Sequence, residues 1–397
     1  MDRTTSLPPP SKKDTRTAII TGCRTAIAAG GLADASLRAV ADAAGVSVGS
    51  INYQIGDRDA LIDAVVAAET MAVTTQRQTW TARAGGWPTG DDTCLADLIG
   101  AWLDDGADGR RDSAVVQAEL LLHASRRPVH AMTPLLAAID DLWRTILSGH
   151  PQAARLAPLI AAYCHDEQPF SILLRDDPDY RLLRNSTIRA LLRSPYSPCE
   201  AAADWHMRIV GRLSVAAAGA HRADDIAPSG PRATIAGHIA DVVADMGIGA
   251  VSHRSVARAA GLPVSSVAHH FAGGRDLVRG GVEALYRRMR ADLGADDARP
   301  ARSGSAVMRL THDVALAALR DPDFRPFAID MRRRRAENVH TAVAQALDPA
   351  GRADRATTQA LVMAMVGHGL CQHARGREPI ALPAFITALV APHHRRE

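Results

Sequence analysis

Fifteen residues of this chain occur twice, and that recurrence constrains the fold more than any other feature. Residues 36–50 read SLRAVADAAGVSVGS and residues 252–266 read SHRSVARAAGLPVSS, identical at nine of fifteen positions under a constant shift of 216. The correspondence runs without a gap from Arg16/Arg232 to Leu61/Leu277. Solenoid units repeat every ~20–50 residues, so this period means two whole domains of one kind on one polypeptide. At 397 residues the chain is long enough to hold them.

The repeated unit reads as helix. Ile19, Ile20, Cys23 and Ile27 recur at helical spacing before Gly30-Gly31. Ser36 stands at an N-cap ahead of Leu37, Val40, Ala41 and Ala44, which share one face. Gly45 ends that short helix. Ser47 caps a third, whose buried side carries Ile51 and Ile55, and Asp57 caps a fourth running toward Glu69. Aromatics are only 4% of the chain, Ala and Leu are abundant, and β-branched runs are scarce. The expected fold is all-α, made of two halves. Residues 1–14 form a polar, disordered tail, 15–70 a first head and 90–223 a helical body. The body should break at Gly106–Gly109, Arg127-Pro128, His150-Pro151, Pro169 and Ser194–Pro198. A linker covers 224–231, a second head 232–287, and a second body 303–393 with helices near 303–320, 323–347, 352–374 and 382–391.

Two short helices at a tight joint can set one helix in the major groove of DNA while the other braces it. Around the joint the first copy reads Ser36, Arg38, Val40-Ala41, Ala44-Gly45-Val46-Ser47, Ile51, Asn52-Tyr53-Gln54-Ile55, Gly56-Asp57-Arg58 and Leu61. The second reads Ser252, Arg254, Val256-Ala257, Ala260-Gly261-Leu262-Pro263, Val267, Ala268-His269-His270-Phe271, Gly274-Arg275 and Leu277. This register resembles the DNA-binding head of the tetracycline-repressor (TetR) family, with its pattern T-x-R-x-I-A-x-x-A-G-V-S followed by a recognition helix. There are departures: Asn52 and Ala268 replace a tyrosine, Arg58 and Gly274 replace a lysine, Ile55 replaces a phenylalanine, and Pro263 replaces the capping serine.

At ~100° per residue, burial of Ile51 leaves Gly49, Ser50, Asn52 and Tyr53 outward. Burial of Val267 does the same for Ser265, Ser266, Ala268 and His269. Asn52 suits a paired bond to adenine. Tyr53 and His269 suit phosphates or thymine methyls, and Gln54 and His270 flank them. Arg58 and Arg275, at the start of the fourth helices, suit phosphate. Arg38 and Arg254 either anchor the bracing helix on DNA or pair with local acids such as Asp42. Ser36, Ser47 and Ser252 cap helices whatever else they touch.

The resemblance implies double-stranded DNA as partner, a helical body with a small-molecule effector pocket, and a working pair of heads. Here one chain supplies both, as an intramolecular pseudo-dimer reading two unlike half-sites, with further self-association left open. Trp102, His123, Trp143, Tyr163 and His165 are the polar-aromatic residues of the first body that suit an effector pocket or a packed core. Met363, Met365, His368, Cys371 and His373 are expected to pack against the other body. Arg332–Arg335, beside Asp330 and Glu337, reads as a solvated helix face.

The net charge of +3 does not by itself demand nucleic acid. Five scattered cysteines without a CxxC pair suggest free thiols in a reducing cytoplasm. No secretory leader and no membrane span is read. Neither His165-Asp166-Glu167 nor His368/His373 has zinc spacing, so no metal or cofactor is expected. No phosphate-binding loop or nucleophile motif points to an enzyme. The alternative is an adaptor in which only the first head reads DNA and the second, with Ala268 and Gly274, is a docking module.

Overall fold

A computed structural model describes residues 12–193, 200–218, 229–293, 304–348 and 353–390. These residues are helical, with no strand among them. The first unit is α1 (Lys12–Gly30), α2 (Leu37–Ala44), α3 (Val48–Gln54) and α4 (Arg58–Ala84). Then follow α5 (Asp92–Ala107), α6 (Arg111–Arg126), α7 (Met132–Ile146), α8 (Ala153–Leu174), α9 (Pro178–Leu192) and α10 (Glu200–Ala216). The second unit is α11 (Pro231–Met246), a 3-10 turn at Ile248–Ala250, α12 (His253–Ala260), α13 (Val264–His270) and α14 (Gly274–Leu293). The chain continues through α15 (Gly304–Ala318), α16 (Arg325–Arg333), α17 (His340–Leu347), α18 (Arg355–Ala374) and α19 (Leu382–Phe385).

Helix α1 starts at Lys12, three residues before the expected head, and the expected break at Ser194–Pro198 and most of the linker lie outside the described residues. Two expectations are corrected. Pro169 does not break its helix: α8 runs through it to Leu174. A proline leaves the carbonyl four residues back without its partner, and the freed His165 carbonyl interacts with the His312 imidazole instead. The break falls at Asp177, which accepts from Tyr180 N–H at 3.0 Å ahead of Pro178. The span 323–347 is two helices, α16 and α17, separated by a turn in which Ala336 has φ 70°.

Two large cores form among the described residues, and each is closed by helices from across the linker. The first joins Ile19, Val40, Ile51 and Leu61 to Trp102 and Trp143, and to Val343, Met363 and Leu370 of α17 and α18. The second joins Ile239, Val256, Val267 and Phe271 to Phe170 and Leu174 of α8, Leu183 of α9, and Ile209 and Leu213 of α10. Helices α8 and α18 cross so closely that a Cβ on Gly367 would sit 1.9 Å from the Ala162 carbonyl oxygen. Met363 and Cys371 are buried there, as expected of a packing helix.

The arginine run is a third correction. Arg332, Arg333 and Arg335 are buried, not solvated. Arg332 grips Glu167 of α8 at 2.7 Å, and Glu167 also accepts from Tyr163 at 3.0 Å and Tyr180 at 2.5 Å. Arg335 pairs with Asp166 and Arg333 with Asp330. A buried charge must be paired and hydrogen-bonded, and the partners of Arg332 and Arg335 lie on α8, far away in sequence.

Contacts nearer the heads are reciprocal. Arg126 at the end of α6 pairs with Asp313 of α15 and lies over Gly247; Arg320, just after α15, pairs with Glu119 of α6 at 2.7 Å and lies over Gly31. Gly31 and Gly247 correspond under the 216-residue shift and have φ 88° and 87°. The corresponding pair Ala33 and Gly249 meet each other: a Cβ on Gly249 would lie 2.4 Å from that of Ala33.

Candidate nucleic-acid interface

Both units build the same joint. Ser36 accepts from Ala39 N–H at 3.1 Å and starts α2. Gly45 ends it at φ 65°, with open space where a Cβ would stand, so the dihedral rather than crowding demands glycine. Val46 N–H returns to the Ala41 carbonyl at 3.0 Å. In the second unit Gly261 also has φ 65°, and Leu262 N–H returns to the Ala257 carbonyl at 2.9 Å. Ser47 caps α3 by accepting from Ser50 N–H at 3.1 Å, with the two hydroxyls 2.9 Å apart. Pro263 starts α13 with no side-chain cap. Ser252 makes a capping box with Ser255.

Burial sets the outward face. Ile51, Val267 and Phe271 are fully buried. Gly49, Asn52 and Tyr53 are exposed, Tyr53 at 75%, while Ser50 and Gln54 are half-buried. Ser265, Ala268 and His269 are exposed, and Ser266 and His270 half-buried. Arg38 and Arg254 are exposed and pair with no acid among the described residues. Each unit therefore presents one short helix, with a neighbouring free guanidinium on the bracing helix.

The cations at the fourth helices are engaged within the chain. Arg58 is half-buried and donates to the Leu32 carbonyl at 2.7 Å. Arg275 is exposed and pairs with Asp321 at 2.5 Å. Asp321 is half-buried, so this pair must open before Arg275 can meet a phosphate. Sequence reading missed Arg16 and Arg232. Arg16 donates to the Gln54 carbonyl at 2.9 Å, and Arg232 donates to the His270 carbonyl and stacks 4.1 Å from the Phe271 ring centre. Each serves an orphan carbonyl at the end of a recognition helix. The available signal was that they are the first matched pair of the repeat.

Of the five effector candidates, Trp102 and His165 line one cavity of about 30 Å³, with Arg110, Leu121, Met132 and Gln168. Trp102 Nε1, His165 Nε2 and Gln168 Oε1 are buried there without a hydrogen-bond partner. Trp143 stacks edge-on to Trp102 at 5.6 Å behind that wall. Tyr163 belongs to the Glu167 network, and His123 lies outside the lining. Burial holds His165 neutral, its pKa down to about 4. It raises the Cys23 thiol to about 11 and Cys371 to about 12, which suppresses thiolate chemistry at both. No metal-ligating cluster occurs among the described residues, and no helix there is long and apolar enough to cross a membrane.

A short helix held outward by a glycine joint, with a free guanidinium beside it, is the arrangement that helix-turn-helix DNA readers use. Residues 19–65 match the family model described as bacterial regulatory proteins, tetR family. That match covers the first helix-turn-helix unit and supports a DNA-binding regulatory role for it. Comparison with curated proteins and with solved structures gave no match.

Proposed function

We propose that the chain is a repressor that acts as a covalent pseudo-dimer, setting α3 and α13 on two unlike half-sites of one operator. The observation that carries this is the reciprocal seam: Arg126 over Gly247, Arg320 over Gly31, and Ala33 against Gly249. Reciprocal contact between corresponding surfaces is what a two-fold pair makes, and paired heads of this kind read half-sites about one helical turn apart. The outward residues Asn52 and Tyr53 differ from Ala268 and His269, which favours unlike half-sites. Binding should weaken steeply with salt, since phosphate contacts release counterions. The cavity beside Trp102 and His165 is the effector site of this reading, and it must widen to admit more than a water molecule.

A second reading is favoured by the poorer second unit: α13 lacks a side-chain cap, Ala268 offers no polar group, and Arg275 is paired. In it the second unit only docks. Gel shifts of Asn52→Ala and His269→Ala separate the two. Loss of binding with both supports two reading heads; loss with Asn52→Ala alone supports the adaptor.

A further inference from the structure

A cavity between α10 and the turn after α16 has neither α3 nor α13 in its lining. It has a volume of about 340 Å³, within the range of small-molecule sites. One wall is α10, with Met207, Val210 and Gly211; the other is the turn after α16 and the start of α18, with Arg334, Arg335 and Arg355. The walls differ in chemistry: α10 offers Met207, Val210 and Gly211 between His206 and Ser214, and the facing turn is cationic apart from Glu337.

The cationic wall is built. Gln359 is buried, donates to the carbonyls of Arg333 and Arg335, and accepts from Arg332 at 3.0 Å. That clamp holds Ala336 at φ 70°, a conformation few non-glycine residues adopt. Charge does not balance. Arg333, Arg334 and Arg335 pair with Asp330, Glu337 and Asp166. The exposed guanidinium of Arg355 has no hydrogen-bond or ion-pair partner among the described residues, its backbone carbonyl alone accepting from Thr358. One positive charge is left over at the cavity mouth, and the paired guanidiniums keep further N–H donors.

We propose that this cavity binds a small organic anion, its carboxylate or phosphate on Arg355 and its apolar body against Met207, Val210 and Gly211. The site is separate from the DNA-reading surface and does not depend on it. Because Arg332 and Arg335 of the same run hold Glu167 and Asp166 on α8, an occupant would bear on the contact between the halves.

Calorimetric titration of the full chain at fixed ionic strength tests this with four probes: benzoate, phenyl phosphate, benzamide and inorganic phosphate. Benzoate or phenyl phosphate should bind at least tenfold more tightly than benzamide and inorganic phosphate. Which of the two binds better tells a carboxylate ligand from a phosphate one. Arg355→Gln should weaken that binding roughly tenfold or more, as loss of a charge-assisted hydrogen bond does. Gly211→Leu, where an added Cβ meets nothing within 4 Å, should fill the cavity and abolish binding in a folded protein. Equal binding of benzamide, no binding of either aromatic anion, or binding that survives both substitutions would overturn the proposal.

Discussion

At the scale of single residues, Asn52 is exposed on α3 beside the fully buried Ile51, so its loss should change DNA affinity and not folding. Asn52→Ala should cost about 1–3 kcal/mol of specific binding, roughly ten- to a hundredfold in Kd. A binding titration paired with a melting curve checks it, and a lowered melting temperature would show a structural role instead. His206 gives a pH signature. Burial lowers its pKa to about 4 from an ordinary 6.5. The unfolded chain therefore takes the proton first as pH falls. The stability is complete above about pH 6.5 and is lost toward pH 4, up to ~3 kcal/mol for a shift of that size. His165 adds a contribution of the same sign. Urea unfolding at pH 7 and pH 5 should show a smaller drop in His206→Gln than in the parent chain. Ala336→Gly should raise stability by about 1 kcal/mol in the same assay, because the left-handed turn suits glycine.

At the scale of elements, the helix-turn-helix units were legible from sequence because their signals are local. A serine cap, a left-handed glycine and an apolar face lie within a few residues of one another, and Ser36, Gly45 and Ile51 play those parts. The arginine run was misread because its partners are remote. Nothing local distinguishes Arg332 from a solvated cation; Glu167, with its two tyrosine hydroxyls, does. The effector candidates dispersed for the same reason, with Tyr163 drawn into that network. Arg332→Met should be severe, about 3–5 kcal/mol, because it strands a buried carboxylate. Glu167→Gln in the same chain should recover much of the loss, as chemical denaturation can measure. Pro169 alone gives no local sign that α8 continues, because the substitute interaction at the His165 carbonyl comes from the remote His312.

At the scale of the whole molecule, the duplication announced two units but not their interleaving. Phe170, Leu174, Ile209 and Leu213 precede the linker yet complete the second core, and Met363 and Leu370 follow it yet complete the first. Residues 1–223 expressed alone should therefore expose apolar surface and fail to melt cooperatively, while the full chain melts in one transition. The central claim is that one chain sets two different helices on one operator. Selection of duplexes from a random pool, followed by the stoichiometry of the selected complex, tests it most directly. The account predicts one chain per duplex on two unlike half-sites about a helical turn apart, ~34–36 Å. Recovery of a symmetric palindrome occupied by two chains would contradict it.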